Sequence, residues 1–206
     1  AIIDELSFLV GKGHLMQFLN VAKSGTLSLN EKSKQLEQSG RTIYKFGFGE
    51  SPFLPPERVR KAFASSSHRK DYTPVAGLPE LREKIADFHS ELDGYPIDAQ
   101  QILVAPGTKP LLYNLMHAFQ NANVFLPAPS WVSYAPQAQL AGHEIHKIPT
   151  TYENRWRVTP QTLDAVLSQQ NNPDKHNLMV LNYPGNPDGL TYSRQELIDL
   201  TNVLRK

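Results

Sequence analysis

The sequence contains no cysteine among its 206 residues. This absence excludes disulfides, thiolate nucleophiles and zinc sites with cysteine ligands, and it favours a reducing compartment such as the cytoplasm. An excess of either charge is also lacking, because 21 Lys and Arg against 20 Asp and Glu leave a formal net charge of +1. Such balance gives no electrostatic footprint for nucleic acid, so a small-molecule partner is expected instead.

Long apolar runs are absent as well, since none approaches the roughly 20 residues that a membrane-spanning helix needs. The segment from Ala1 to Glu5 carries acidic side chains where a secretory signal has basic ones. We therefore expect a soluble, cytoplasmic protein with no membrane partner. Hydrophobic residues make up 40% of the chain and charged residues 20%, which is typical of a globular core.

Short apolar stretches alternate with helical patterns along the chain. Such alternation is typical of an α/β fold with a mostly parallel sheet. After two short helices between 2 and 23, the predicted strands cover 42–48, 101–104, 124–126, 144–148 and 177–181. The predicted helices cover 28–38, 57–64, 78–92, 111–119, 160–167 and 193–206, and a further helix follows Trp131.

The final predicted helix begins at Ser193, which forms a capping-box pattern with Glu196. Its apolar pattern continues to Lys206 without a stop signal. Because a parallel β-α-β unit needs a following strand to complete its crossover, we expect the fold to continue beyond this chain.

A strand, a glycine turn and a helix start come together at Leu103–Lys109. Backbone N–H groups and the positive end of a helix dipole make such a place suited to a phosphate. The turn is not a P-loop, because a second glycine and a Gly-Lys-Ser/Thr run are missing. Taken alone, it is more often an ordinary strand-to-helix turn.

Two further segments, Pro127–Tyr134 and Asn182–Gly189, directly follow predicted strands. In open parallel sheets, ligands bind beyond the carboxyl ends of the strands. The indole of Trp131 can stack on a heteroaromatic ring there, although tryptophan is more often a core residue. The amide of Asn186 can bond a phenolate-like oxygen, although Asn, Pro, Asp and Gly are also plain turn formers.

Two more motifs, Gly47–Phe53 and Tyr72–Arg82, precede these three segments. In this order the five segments resemble the motifs of class I/II aminotransferases of fold type I, enzymes that use pyridoxal 5'-phosphate (PLP). The resemblance runs from about Ser24 to the end of the chain. It implies a three-layer α/β/α fold, with 1–48 as an N-terminal arm and part of a small domain. Residues 49–206 would form the N-terminal part of the large PLP-binding domain.

The resemblance also implies roles for individual residues. In such enzymes the turn matching Gly107, Thr108 and Lys109 binds the cofactor phosphate through backbone N–H groups. The residue matching Trp131 stacks on the pyridine ring.

Four other positions also match family residues with known roles. The residue matching Asn186 hydrogen-bonds the 3-oxygen of the ring, and Asn182 is expected to brace that turn. The residue matching Tyr72 reaches the phosphate of the neighbouring subunit, which implies a homodimer with shared sites. The backbone matching Gly49 lies against the substrate carboxylate, where a residue without Cβ allows close approach.

Three departures from the family pattern stand out. Asp188 replaces a usual threonine, Pro110 follows the phosphate turn, and a family Pro-Gly-Asp turn is shortened to Gln120–Asn123. Proline is tolerated in a first helical turn, so Pro110 does not threaten the phosphate site.

Family members hold PLP as a Schiff base to a lysine well beyond the Asn-Pro turn. Lys109, Lys147, Lys175 and Lys206 do not lie in the Ser-x-x-Lys-like setting that the family uses. We therefore assign no catalytic residue to this chain. The full-length protein is expected to transfer amino groups between amino acids and 2-oxo acids, whereas this fragment alone is expected to be inactive.

Other functions are compatible with the same motifs. A β-lyase, a decarboxylase or a cyclopropane-forming synthase of this fold would keep them. A non-catalytic sensor domain with an aminotransferase-like fold is an alternative from another class, and a structural interaction module is a third.

Overall fold

The computed structural model describes residues 25–47, 49, 51–170, 172 and 174–205. The helices predicted between 2 and 23 lie outside these residues. The described chain forms two compact units, one of residues 25–118 and one beginning at Phe119. The predicted boundary between 48 and 49 stays a prediction.

The unit of residues 25–118 is helical. The apolar stripe predicted on its longest helix is only partly buried, since Leu81, Phe88 and Leu92 are 44–66% exposed. That helix begins with a proline in its first turn and ends at Gly94, which adopts the left-handed conformation typical of a helix C-terminus. The helices are α1 (Gly25–Gln38), α2 (Glu57–Ser65), α3 (Pro79–Asp93) and α4 (Thr108–His117), with a 3-10 turn at Ala99–Gln101.

The strands predicted over 42–48 and 101–104 do not form in the described part of this unit. Two isolated contacts hold the second segment instead. The Val104 N–H donates to the Ala76 carbonyl over 3.0 Å, and Arg82 Nε donates to the Ile102 carbonyl over 2.9 Å. The strand prediction is therefore wrong here, because no described segment of the unit continues this pairing into a ladder.

Gly77 lies next to the segment of residues 101–104. Its φ is +105°, and a Cβ on it would lie 2.7 Å from the Cβ of Val104. Gly94 also has a positive φ, +74°, but nothing lies within 4 Å of its Cβ position.

Gly77→Ala should lower the free energy of unfolding by about 2–4 kcal/mol, through backbone strain plus overpacking. Gly94→Ala, the matched control, should cost only the strain, about 1–2 kcal/mol.

Urea unfolding followed by far-UV circular dichroism measures this difference, since this unit is helical. Tryptophan fluorescence would follow the other unit instead, which holds both Trp131 and Trp156. Equal losses for the two variants would contradict the close packing of Gly77 against Val104.

The second unit is built on a three-stranded parallel sheet with the order β2-β1-β3. Phe125 in the central strand pairs with His146 on one side and Met179 on the other. The strands are β1 (Asn123–Ala128), β2 (Glu144–Pro149) and β3 (Asn177–Met179), and the helices are α5 (Tyr134–Leu140), α6 (Pro160–Leu167) and α7 (Arg194–Leu204).

Helices cover both faces of this sheet. Phe125 and Ile148 pack with residues of α6 and α7, such as Leu163 and Leu200, in one buried cluster. Alternation along the strand turns Val124 to the opposite face. There α5 packs on β1 and β2 without joining that cluster. The predicted α/β fold with a parallel sheet is confirmed.

Local capping signals explain where α6 and α7 begin. Ser193 forms the predicted capping box, and Thr159 forms one that was not predicted. In each, the cap side chain and the third helical residue bond each other's backbone N–H. In the part of the chain that the structure describes, no helix combines the length and apolarity needed to cross a bilayer.

Candidate functional site

The predicted phosphate turn forms the N-terminal end of α4 in the first unit. Gly107 precedes the helix with a φ of +95°, and its N–H donates to the Ala105 carbonyl over 2.7 Å. Thr108 and Lys109 are the first two residues of the helix. An α-helix provides no internal acceptor for the backbone N–H groups at these positions. Pro110 occupies the third helical position, where a missing N–H costs no intrahelical bond.

This helix end is open to an incoming group. Residues 107–110 are exposed, and nothing lies within 4 Å of a Cβ built on Gly107. Backbone donors at an open helix N-terminus suit an anion such as a phosphate. The residues present therefore fit the group that the sequence predicts for them.

The other two predicted residues of this unit are both exposed. Tyr72 projects fully into solvent, and Gly49 has nothing within 4 Å of its Cβ position. The nearby motif residues Gly77 and Arg82 instead pack on or bond the segment that leads to the phosphate turn. The sequence did not predict this supporting role, although both residues belong to the motif Tyr72–Arg82.

Three predicted residues lie in the second unit, beyond the carboxyl ends of β1 and β3. Asn182 and Asn186 line the same small cavity, together with Pro129 and Ser130. The cavity volume is about 30 Å³, enough for a water molecule or two but not for a pyridine ring. Asn186 itself is exposed, so its side chain is accessible to a ligand from the solvent side.

Trp131 is the residue after Ser130, which lines this cavity. Its ring is partly buried and meets Tyr134 edge-on, with centroids 5.3 Å apart and an interplanar angle of 80°. Burial raises the pKa of the Tyr134 phenol. The contact with Tyr134 helps to fix the plane of the indole ring.

The loop that presents Asn186 is closed by hydrogen bonds. The Gly185 N–H donates to the Leu190 carbonyl over 2.7 Å, and the Gly189 N–H donates to the Gly185 carbonyl over 2.8 Å. Asp188 Oδ1 accepts from the Leu190 N–H over 2.9 Å. The loop is therefore a compact turn with a side chain bonded inside it.

Charged and aromatic side chains join the start of α7 to the segment before α6. Arg157 Nη1 pairs with Glu196 Oε1. The Tyr192 hydroxyl accepts from the Val158 N–H over 3.0 Å, and burial raises the pKa of this phenol. Hydrogen bonds from the backbone and side chain of Ser193, and then Arg157, lower the pKa of Glu196 to about 2.

Glu196→Gln tests this ion pair through pH. At pH 7 the variant should be less stable than the wild type by about 1 kcal/mol or less, because the Glu196 side chain is 41% exposed and solvent screens it. The wild type loses this contribution as pH falls from 4.5 towards 2, since its carboxyl pKa is lower folded than unfolded. The two stabilities should therefore converge in acid.

Urea midpoints from tryptophan fluorescence at several pH values measure this convergence. Glu31→Gln, which removes an exposed carboxylate from α1, is the matched control and should leave these midpoints unchanged. A gap between wild type and Glu196→Gln that persists at pH 2 would contradict the assignment.

Comparison with known proteins identifies relatives of this chain. The family model for "Aminotransferase class I and II" matches residues 41–206. The chain is 33% identical over 189 residues to an asparagine–oxo-acid transaminase of Streptococcus mutans, covering 89% of this chain and 47% of the relative. It is 33% identical over 190 residues to a probable aspartate/prephenate aminotransferase of Rhizobium leguminosarum bv. phaseoli, with 90% and 46% covered.

Solved structures give the same answer for the fold. Aspartate aminotransferase from Thermus thermophilus with maleate matches with a TM-score of 0.82 at 27% identity, covering 92% of this chain and 51% of that one. The chain thus spans about half the length of the curated relatives it matches. The resemblance inferred from the five motifs is confirmed.

Proposed function

This chain belongs to the class I and II aminotransferase family, and we propose that it is the N-terminal portion of an enzyme that moves an amino group between an amino acid and a 2-oxo acid. The observation that carries the proposal is the open helix end at Gly107, inside the region that the family model matches. An anionic cofactor group is what such an end binds best.

PLP is the proposed cofactor, and it supplies an electron sink for the bonds at the amino-acid Cα. Gly107, Thr108 and Lys109 hold its phosphate through backbone N–H groups. Trp131 offers a ring face for stacking and Asn186 an amide for the 3-oxygen. Asn182, which lines the cavity beneath the same loop, braces Asn186.

We further propose a homodimer with shared sites. The complete exposure of Tyr72 supports a role towards a neighbouring subunit, because none of the residues that the structure describes covers the ring. Gly49 would let the substrate carboxylate approach the backbone. The names of the two curated relatives favour aspartate or asparagine as the amino donor of the whole protein.

The covalent chemistry is proposed to lie outside this chain. The curated relatives are about twice as long, and Lys109, Lys147, Lys175 and Lys206 do not occupy the setting of the family lysine. The chain alone is therefore expected to bind PLP reversibly and to transfer no amino group.

Fluorescence titration tests the proposed binding. PLP should quench the tryptophans saturably and bind at least about tenfold tighter than pyridoxal, which lacks the phosphate. Asn186→Ala should raise the Kd for PLP about tenfold, since a lost hydrogen bond is worth about 0.5–1.5 kcal/mol. Asn154→Ala, which removes an exposed amide from another turn of the same unit, is the control. Equal binding of PLP and pyridoxal would contradict the phosphate turn.

Borohydride reduction followed by intact and peptide masses tests the covalent part. We expect no adduct, or scattered adducts well below one per chain. One stoichiometric adduct at a single lysine would show that the covalent site already lies in this chain.

A further inference from the structure

Gly185 is a glycine for a reason other than its backbone conformation. Its φ is not in the positive range that favours glycine. A Cβ on Gly185 would instead overlap Asp188 Oδ1 and lie 2.9 Å from Asp188 Cγ. Real Cβ atoms do not approach other atoms so closely, because the protein interior is close-packed and repulsion rises steeply. The space at residue 185 is therefore taken by the Asp188 carboxylate.

That carboxylate has a defined task inside the loop. Asp188 Oδ1 accepts the Leu190 N–H, and the Leu190 carbonyl in turn accepts the Gly185 N–H. An aspartate that bonds the backbone two residues on stabilises a tight turn. Asp188 also lines the cavity beneath the loop with Asn182 and Asn186.

We propose that Asp188 is a positioning residue that locks the 185–190 loop in the shape that presents Asn186, and that Gly185 is the space this lock requires. The part of this inference that concerns the cofactor rests on the proposed role of Asn186. Asp188 thus acts through Asn186. The aspartate that departs from the family's usual threonine is coupled to the glycine three residues before it.

Amide hydrogen exchange of the 206-residue chain tests the lock without any ligand. Asp188→Ala should speed exchange of the Leu190 and Gly185 amides about tenfold or more. The bond from the Leu190 N–H to Asp188 is lost, and the bond from the Gly185 N–H to the Leu190 carbonyl is then no longer held in place. Asp188→Asn keeps an oxygen acceptor of the same reach, so it should restore protection to within about twofold. Unchanged exchange in Asp188→Ala, or no rescue by Asp188→Asn, would overturn the proposal.

A double-mutant cycle tests the coupling. Gly185→Ala alone should open the loop, and its exchange rates should rise because Asp188 is pushed out. In the Asp188→Ala background, Gly185→Ala should add less than about twofold, since the clash is gone. Additive effects of the two substitutions would show that they act independently and would overturn the coupling.

PLP titration links the lock to the ligand. Asp188→Ala should raise the Kd about as much as Asn186→Ala, and the double variant should be no weaker than either. If Asp188→Ala frees the loop amides yet binds PLP as the wild type does, the positioning role is overturned. If the wild type itself shows no saturable PLP binding, the proposed function fails, and the exchange experiments still decide whether the lock exists.

Discussion

The pairing of β1 with a strand on each side is the constraint on which the second unit depends. Residues 123–126 are at most 3% exposed, so the strand is buried from its first residue. Asn123 bridges the sheet there: its Nδ2 donates to Asn177 Oδ1 over 2.9 Å, and its Oδ1 lies 3.1 Å from His146 Nε2. A buried, satisfied polar ladder specifies one register, since a slip would leave these groups unpaired. That register brings the ends of β1 and β3, and hence Pro129 and Asn182, to one edge.

In the unit of residues 25–118, several large apolar side chains are exposed. Phe46, Phe53 and Phe63 are each more than 80% exposed within the described chain, and α2 has no buried residue. Folded proteins seldom leave so many large apolar side chains in water unless another surface covers them. This exposure agrees with the proposed place of the chain as one portion of a larger, dimeric enzyme. Hydrophobic periodicity predicted α3, but it does not indicate how much of the apolar face of this helix is buried.

Elements with local signals could be predicted from the sequence. Ser193 with Glu196 predicts the start of α7, Thr159 with Pro160 predicts the start of α6, and the central strand is a short apolar run. The strand predicted over 101–104 failed because strand formation needs a partner that apolar composition does not reveal. The close approach of Gly185 and Asp188 could not be read from the sequence either, since it depends on how the loop folds back. The roles of Gly107, Trp131 and Asn186 stay predictions, although the first lies at an open helix end and the last is exposed.

The two proposed anchoring modes tolerate sequence change differently. A phosphate held by backbone N–H groups depends on the presence of a helix end, so Pro110 can enter the first turn without any compensating change nearby. A ring oxygen held by Asn186 depends on one side chain, and therefore on the conformation of the loop that carries it. An aspartate at 188 fills the interior of that loop, and only a residue without Cβ at 185 leaves room for it. The proline at 110 therefore needs no particular neighbour, whereas the aspartate at 188 needs a glycine at 185.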